Sequence, residues 1–271
     1  MPKDQAWLDE VRPSPYADQL SQGFRRLRFS QALEREYRAS ILEESFELKR
    51  IALSVAAVIW LALTVFDMAV VPASHVSWVI AIRVLALAVL LVCAFFIVQR
   101  RYRHLWLPLS MTCILVLGVG AAMIVGVAHR ADPDYPYEGL MLVSMVAYFL
   151  VGLRLSEAVV CSLVVLLAYV LAELASGLPV PKLLNNVLLL TFGNLIGGVG
   201  CYLLEHKSRE YFLVSRLMRL LAYHDSLTGL HNRRSFNRQF ERLWRQAQRE
   251  GKSLALLLCD IDHFNAYNDS Y

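Results

Sequence analysis

The chain has 271 residues, of which 57% are hydrophobic and 18% are charged, and its formal net charge is +4. This composition is too apolar for an ordinary soluble domain. Nucleic acid is excluded as an expected partner, because the net charge is small and no basic patch carries aromatic side chains. The cysteines lie mostly inside apolar segments without metal-ligand spacing, so neither a disulfide framework nor a metal site is predicted from them.

Residues 1–50 form a polar amino-terminal region, and from residue 17 onward its apolar residues recur at helical spacing. The apolar stripe consists of Leu20, Phe24, Leu27, Phe29, Leu33, Tyr37 and Ile41. We expect a cytoplasmic amphipathic helix over residues 17–50 that packs on neighbouring helices or on a second copy of the chain. The cluster of Arg25, Arg26 and Arg28 leaves open a helix that lies on the membrane surface.

Six apolar segments follow within residues 51–204, and most have the roughly 20 residues that are needed to cross a bilayer. They lie at residues 51–71, 78–98, 106–128, 139–153, 156–175 and 183–204. Basic residues collect at the amino terminus, in alternate connections and after the sixth segment. This asymmetry predicts a multi-pass membrane protein with both termini in the cytoplasm.

Four ionisable residues inside these segments need a partner or access to water, since isolated charges are costly in a bilayer. Asp67 and Arg83 lie near the outer ends of the first two segments, so they can pair, either as a structural ion pair or as part of a sensor that contacts a ligand. Glu157 and Glu173 lie near opposite ends of the fifth segment, where they can reach headgroups. The longest outer loop, residues 129–138, is too short for a separate sensor domain, so an external ligand has to bind among the helices or at their mouth.

The sixth segment carries a Gly193-x-x-x-Gly197 motif, which permits close approach of another helix of the bundle or of a second chain. No Gly or Pro follows between residues 204 and 223, so the helix is predicted to continue. Residues 205–224 are interpreted as a signalling helix with a short coiled coil. Its heptad positions hold Leu204, Tyr211, Val214, Met218 and Leu221, with Lys207 as a poor fit.

The last stretch, residues 225–271, combines an apolar run with acidic residues. Leu254–Cys259 is predicted to be a strand that is buried on both faces and ends at Asp260 and Asp262. Ligands of α/β folds bind at the carboxyl ends of strands, and carboxylate oxygens suit Mg²⁺ that is bridged to phosphates. The preceding helix would cover this strand with Phe236, Phe240, Leu243, Trp244 and Ala247.

Two blocks in this stretch, D-x-L-T-G-L-x-N-R-R-x-F and D-I-D-x-F-x-x-Y-N-D-x-Y, resemble the amino-terminal half of the GGDEF family of diguanylate cyclases. The resemblance implies that Asp260 and the main-chain carbonyl of Ile261 bind catalytic Mg²⁺. It implies that Asn268 hydrogen-bonds the guanine. The backbone around His263 and Phe264 would then lie against the triphosphate.

The same resemblance implies a homodimer in which each subunit holds one GTP with Mg²⁺ and the two nucleotides condense to cyclic di-GMP. The membrane region would regulate this reaction by setting how the two domains face each other. Two departures stand out: Asn265 occupies a position where the family usually has Lys, and the sequence ends at Tyr271, before the GGDEF hairpin. We therefore expect these 271 residues to be an inactive portion of a longer protein of the bacterial inner membrane.

The predicted fold is an all-α polytopic membrane domain of six transmembrane helices, followed by a signalling helix and the start of an α/β GGDEF domain. Two other functions stay open. One is a non-catalytic receptor whose degenerate GGDEF domain binds GTP or controls a downstream phosphodiesterase domain. The other is a transporter with a regulatory cytoplasmic tail, which broken helices and paired repeats would favour. The stimulus, a small molecule or a membrane property, is not specified by the sequence.

Overall fold

The computed structural model describes residues 14–24, 26–223, 230, 232–260 and 262–264. These residues are helical or irregular, and no strand occurs among them. The chain divides into two compact units, which are described separately. One unit comprises Gln19–Phe212, and the other comprises Met1–Asp18 with Leu213–Tyr271.

Eight α-helices are present in the described part of the chain. They are α1 (Pro15–Gln22), α2 (Gln31–Val70), α3 (Ala73–Val98), α4 (Trp106–His129), α5 (Gly139–Phe149), α6 (Leu155–Ser176), α7 (Val180–Tyr223) and α8 (Arg233–Glu250). Five of them, α2, α3, α4, α6 and α7, contain a stretch that is long and apolar enough to cross a membrane, and α5 is a shorter apolar helix. Helices α2–α7 therefore correspond to the six predicted spans.

The fourth predicted span is shorter than expected. It was placed at residues 139–153, but α5 has only 11 residues and ends at Phe149. Gly152 then adopts a left-handed backbone with a φ of 70°, which a helix cannot continue through. At a rise of 1.5 Å per residue, α5 covers about 16 Å, roughly half of a hydrocarbon core.

The single amphipathic helix predicted for residues 17–50 is wrong. Helix α1 ends at Gln22, Gly23 and Leu27 have φ values of 72° and 52°, and α2 begins at Gln31 and continues into the first span. The left-handed residues break the helix and fold its apolar stripe back on the bundle. Three ring contacts join the stripe to α7: Phe24 with His206, Phe29 with Phe212, and Tyr37 with Phe212. The stripe therefore packs on a neighbouring helix.

Helix α4 forms the centre of the membrane bundle. In the most apolar stretch of α4, 56% is buried inside the protein, against 17–33% in the corresponding stretches of the other four long spans. Helix α4 packs against α3, α5 and α6. Two glycines permit the close approach of α6, because a Cβ at Gly118 would collide with Val165 and one at Gly126 would lie 2.9 Å from Ala172. The core of the bundle thus lies along α4.

Helix α7 runs without interruption from Val180 to Tyr223, as predicted for the helix that follows the sixth span. Three of the four glycines of its first half face α5: a Cβ would lie 2.8 Å from Met141 at Gly193, 2.5 Å from Tyr148 at Gly197 and 2.6 Å from Phe149 at Gly200. These contacts favour packing within one bundle over self-association through the glycine motif.

Three of the predicted heptad residues of α7 lie on its exposed side. Leu204, Tyr211 and Met218 are 54%, 69% and 50% exposed, whereas Leu213 and Leu217 are fully buried. The described single chain therefore leaves this apolar seam uncovered.

The strand predicted for Leu254–Cys259 is not formed. Residues 252–260 are irregular, and Leu257 and Leu258 are 85% and 92% exposed. A strand needs a neighbouring strand for its backbone N–H and C=O groups, and no described residue supplies one. The helical face that was predicted to cover it is likewise exposed at Phe236, Leu243 and Trp244.

Candidate functional site

The membrane bundle has two ends, which we name by their loops. The distal end carries residues 130–138, between α4 and α5, and the proximal end carries residues 150–154, between α5 and α6. Each end contains a buried network of charged side chains, and the two networks differ in how completely their hydrogen bonds are satisfied.

The distal network centres on an ion pair between Asp67 of α2 and Arg83 of α3. The Nε and Nη2 atoms of Arg83 lie 2.9 and 2.8 Å from Oδ2 of Asp67. The hydroxyl of Tyr135, in the distal loop, donates to the other carboxylate oxygen at 2.6 Å. Asp67, Arg83 and Tyr135 are 1%, 5% and 6% exposed. The structure thus pairs the two groups that the sequence placed at similar depth and adds a tyrosine that sequence reasoning missed.

The guanidinium of Arg83 is held in place but not fully satisfied. It lies 4.3 Å above the ring of Trp60, whose Nε1 donates to the Arg83 carbonyl at 3.0 Å. The third nitrogen, Nη1, is buried and has no hydrogen-bond acceptor among the described residues. Buried hydrogen-bond donors are almost always paired in proteins, so the unpaired Nη1 of Arg83 is an exception that a bound ligand could remove.

The distal network continues through His129 to Glu173. Nε2 of His129 donates to the Tyr135 carbonyl at 2.8 Å, and Nδ1 lies 2.8 Å from Oε1 of Glu173. Because Nε2 faces a carbonyl it carries a proton, and Nδ1 and the Glu173 carboxyl share another. Ser176 donates to the second Glu173 oxygen at 3.1 Å.

Glu173 corrects one expectation from the sequence. It was predicted to reach headgroups, but it is 0% exposed, because His129, 44 residues earlier in the chain, provides its partner. No local spacing signals that contact. The outer loop was marked only by its acidic and aromatic composition.

Tyr135 joins the two halves of the distal network. Burial and then the hydrogen bond to Asp67 raise the pKa of Tyr135 above its usual value, so its hydroxyl stays protonated and donates. Its carbonyl meanwhile accepts from His129. One loop residue therefore ties α2 and α3 to α4 and α6.

A cavity of about 350 Å³ lies beside the distal network. Helices α2, α3, α4 and α5 form most of its wall, which is largely aliphatic and aromatic, and Trp60, Arg83 and Glu138 are among its lining residues. Phe66 and Leu142, which also line it, are 46% and 60% exposed, so the cavity opens sideways between α2 and α5. Its volume falls in the usual range for small-molecule sites.

The proximal network centres on Arg209 of α7, whose side chain is 1% exposed. Nη1 donates to Glu34 at 2.7 Å, while Nη2 and Nε donate to Glu205 at 2.9 and 3.1 Å. The guanidinium also lies 5.0 Å from the ring of Phe29 and 4.5 Å from that of Tyr37. All three nitrogens of Arg209 are thus used within the protein.

Glu34 shows the strength of this proximal contact. Burial alone would raise the pKa of its carboxyl, but hydrogen bonds from Arg209 and the Phe29 backbone N–H outweigh burial and lower the pKa to about 2. The carboxylate is therefore charged at any physiological pH. It fixes the start of α2 to the continuation of α7 beyond the sixth span.

The residues predicted to bind nucleotide are only partly described. Asp260, His263 and Phe264 are exposed, and His263 has a φ of 58°. Ile261 and Asn268 lie outside the described residues. In the part of the chain that is described, no group of three or more His, Cys, Asp or Glu side chains could hold a metal ion. The nucleotide site and its magnesium therefore stay predictions.

Family comparisons assign both parts of the chain. Residues 222–271 match the family "Diguanylate cyclase, GGDEF domain", and residues 65–219 match MASE8, a membrane-associated sensor region. The chain thus joins a multi-pass membrane sensor region to part of a GGDEF domain. Because the MASE8 match covers more than half of the 271 residues, the chain belongs to the MASE8 family.

Curated relatives match short stretches. The chain is 40% identical over 73 residues to the cyclic di-GMP phosphodiesterase NbdA of Pseudomonas aeruginosa, which is 25% of this chain and 9% of that protein. It is 34% identical over 76 residues to the uncharacterized protein YhcK of Bacillus subtilis, covering 28% of this chain and 21% of YhcK. An uncharacterized membrane protein of Staphylococcus aureus (strain USA300) is 48% identical over 48 residues, 18% of this chain and 14% of that protein. The chain therefore spans about a fifth or less of the length of these relatives.

Proposed function

We propose that the whole protein is an inner-membrane diguanylate cyclase that makes cyclic di-GMP from two GTP molecules under the control of its membrane bundle. The observation that carries this proposal is the GGDEF match, which begins at residue 222, directly after the MASE8 region. Helix α7, Val180–Tyr223, runs without a break from the bundle to that point. A continuous helix of this kind is suited to transmit movement from a sensor to an enzyme domain.

The residues expected to act on GTP supply the donor types that the chemistry needs. The Asp260 carboxylate and the Ile261 carbonyl are hard oxygen ligands, which fit Mg²⁺. When bound, Mg²⁺ neutralises phosphate charge during phosphoryl transfer. Asn268 would read the guanine edge, and the backbone at His263 and Phe264 would receive phosphate oxygens.

Two subunits are needed for the reaction. The 3′-hydroxyl oxygen of each GTP attacks the α-phosphorus of the other, its proton passes to solvent, and pyrophosphate leaves. Leu204, Tyr211 and Met218 of α7 offer an exposed apolar seam at heptad spacing that would pair two chains. Control by the bundle would then act on the alignment of the two GGDEF domains.

The cyclase requires both termini in the cytoplasm, where GTP is found. The proximal end carries Arg154 and Arg209, and the sequence after the sixth span adds Lys207. A reporter fused after Ser176, where α6 ends, is expected in the periplasm, and a reporter fused after Arg209 in the cytoplasm. The opposite pattern would overturn the proposed orientation.

One observation favours a second candidate. NbdA, which shares the 73-residue similarity, is named as a cyclic di-GMP phosphodiesterase. The full protein would then be a receptor whose GGDEF domain is degenerate and controls a downstream phosphodiesterase. Hydrolysis of cyclic di-GMP without its synthesis by the purified full-length protein would establish this alternative.

The cyclase is tested by GTP turnover of the purified full-length protein at varied Mg²⁺. Asp260→Asn keeps the shape of the side chain and removes its charge, so we expect nearly all synthesis to be lost while membrane insertion and dimerisation persist. Asn268→Ala should mainly weaken GTP binding and guanine selectivity. Glu241→Gln, at an exposed carboxylate on α8, is the matched control and should leave turnover unchanged. Near-normal turnover in Asp260→Asn would refute the metal assignment.

A further inference from the structure

The distal cavity combines an apolar wall with one buried polar group that lacks a partner. Arg83 lines the cavity, and its Nη1 has no hydrogen-bond acceptor among the described residues. We infer that this cavity binds a lipid-soluble molecule that has an apolar body and one uncharged oxygen acceptor, a carbonyl or hydroxyl, which accepts a hydrogen bond from Nη1 of Arg83.

The need for an oxygen acceptor follows from the guanidinium geometry. Nε and Nη2 are both used on Asp67, and the stacked ring of Trp60 fixes the plane of the group. Arg83 therefore cannot turn to satisfy Nη1 without losing those contacts. A ligand oxygen would pair a donor that is otherwise buried without a partner.

The ligand is expected to carry no negative charge, because Asp67 already neutralises the charge of Arg83. Asp67 neutralises Arg83 at 2.8 Å, and Tyr135 occupies the second oxygen of that carboxylate. Glu138 also lines the cavity and adds a further carboxylate. A ligand carboxylate or phosphate would bring an unbalanced negative charge into a site with a largely apolar wall.

The apolar body and its route follow from where the cavity opens. Phe66 of α2 and Leu142 of α5 line it and are also exposed on the outer surface of the helices. That surface faces lipid in a membrane bundle. A lipid-soluble molecule can therefore enter between α2 and α5 directly from the bilayer, without crossing the distal loop.

This inference names the ligand class of the proposed sensor and rests on the proposed function only in treating the bundle as a sensor. Its test is binding rather than catalysis, so its failure and the failure of the cyclase proposal are distinguishable. A protein that turns over GTP without binding the probe would overturn only the inference. A protein that binds the probe without turning over GTP would support it.

The test is photolabelling of the purified full-length protein in lipid nanodiscs. The probe is a twelve-carbon methyl ketone that carries a diazirine, and labelled peptides are mapped by mass spectrometry. Unlabelled twelve-carbon methyl ketone, alkane and fatty acid compete separately. We expect saturable labelling of α2 and α5, displaced by the ketone about tenfold more effectively than by the alkane or the fatty acid.

Two variants and a control sharpen the result. Arg83→Lys keeps a cation for Asp67 but removes the planar guanidinium, and Gly139→Leu fills the cavity from a position where a Cβ meets no atom within 4 Å. Both should weaken saturable labelling about tenfold. Gly198→Leu makes the same substitution on α7, where a Cβ also meets no atom within 4 Å, and should label as the wild type does.

Four outcomes would overturn the inference. Labelling that does not saturate would indicate simple partition into lipid. Equal displacement by ketone and alkane would remove the role of the oxygen, and equal or better displacement by the fatty acid would remove the preference for an uncharged group. Unchanged labelling in Gly139→Leu would exclude the cavity as the site, even if Arg83→Lys failed to fold.

Discussion

The two ends of the membrane bundle each bury one arginine, and these arginines are satisfied to different degrees. Arg209, at the proximal end, donates from all three side-chain nitrogens to Glu34 and Glu205. Arg83, at the distal end, donates from two nitrogens to Asp67 alone. The difference indicates that the proximal arginine is a structural clamp, whereas the distal arginine keeps a hydrogen bond available beside a cavity.

The comparison also separates the roles of the surrounding aromatic groups. Phe29 and Tyr37 flank Arg209 together with its two carboxylates, so the guanidinium is enclosed by the protein itself. Trp60 stacks on Arg83 but leaves a cavity of about 350 Å³ next to it. The enclosed cluster at the proximal end is suited to hold two helices together while they move. The open cluster at the distal end is suited to bind a ligand.

The largest effect is expected from Arg209→Ala. Removing one partner of a buried charge cluster typically costs about 3–5 kcal/mol, and here two carboxylates lose the buried cation that they share. Unfolding of the purified protein should therefore begin at a much lower temperature. The control is Lys207→Ala on the same helix: Lys207 is 76% exposed and pairs with Glu210. Its loss should cost less than about 1 kcal/mol. Equal losses in the two variants would contradict the clamp.

Asp67→Ala and Arg83→Ala should each destabilise the bundle by about 3 kcal/mol, near the lower end of the range for broken buried pairs. The double exchange Asp67→Arg with Arg83→Asp should recover part of the folded yield in membranes. Recovery is incomplete because the Tyr135 hydroxyl donates to Asp67 and the Trp60 ring covers Arg83. If the single variants fold with wild-type yield but signal differently, Asp67 and Arg83 act in ligand binding and not in holding the bundle together.

A smaller effect tests how α5 and α7 are packed between the two networks. Gly197→Ala places a methyl group 2.5 Å from the Tyr148 ring, and overpacking of this kind typically costs about 1–3 kcal/mol. Gly198→Ala adds the same group where no atom lies within 4 Å and should be neutral or slightly stabilising. If dimerisation falls in Gly197→Ala while the unfolding temperature holds, the glycine face pairs two chains rather than two helices of one bundle.

The smallest effect is a pH dependence of the proximal clamp. The pKa of Glu34 is lowered from its ordinary 4.5 to about 2 in the folded protein. A depressed folded pKa gives stability that is fully present above 4.5 and is lost as the pH falls toward about 2. As the pH is lowered across this acid range, the unfolding temperature should therefore fall more steeply in the wild type than in Glu34→Gln. Parallel curves would show that Glu34 gains no stability from its contacts.

Much of the architecture follows from local pattern. Apolar segments of membrane length and the absence of Gly or Pro after residue 204 were enough to predict α2–α7 and the continuous helix at the end of the bundle. The short connection between the first two spans also placed Asp67 and Arg83 at similar depth. Such features depend on residues that are close together in sequence.

The parts that the sequence did not predict depend on contacts between distant residues. His129 meets Glu173 across 44 positions, and Arg209 meets Glu34 across 175. The break after α1 requires left-handed backbone at Leu27, which no composition signals. The strand expected at Leu254–Cys259 fails for a related reason, since its apolar run has no pairing partner among the described residues.

The contrast between the two arginines is tested most directly by thermal unfolding of the purified full-length wild type, Arg83→Lys and Arg209→Lys, each with and without the twelve-carbon methyl ketone. We expect Arg209→Lys to unfold at a clearly lower temperature but to keep the stabilisation by the ketone, because the distal cavity is intact. Arg83→Lys should lose less stability and lose the ketone effect. If both variants lost equal stability and responded equally to the ketone, the two networks would not differ in role.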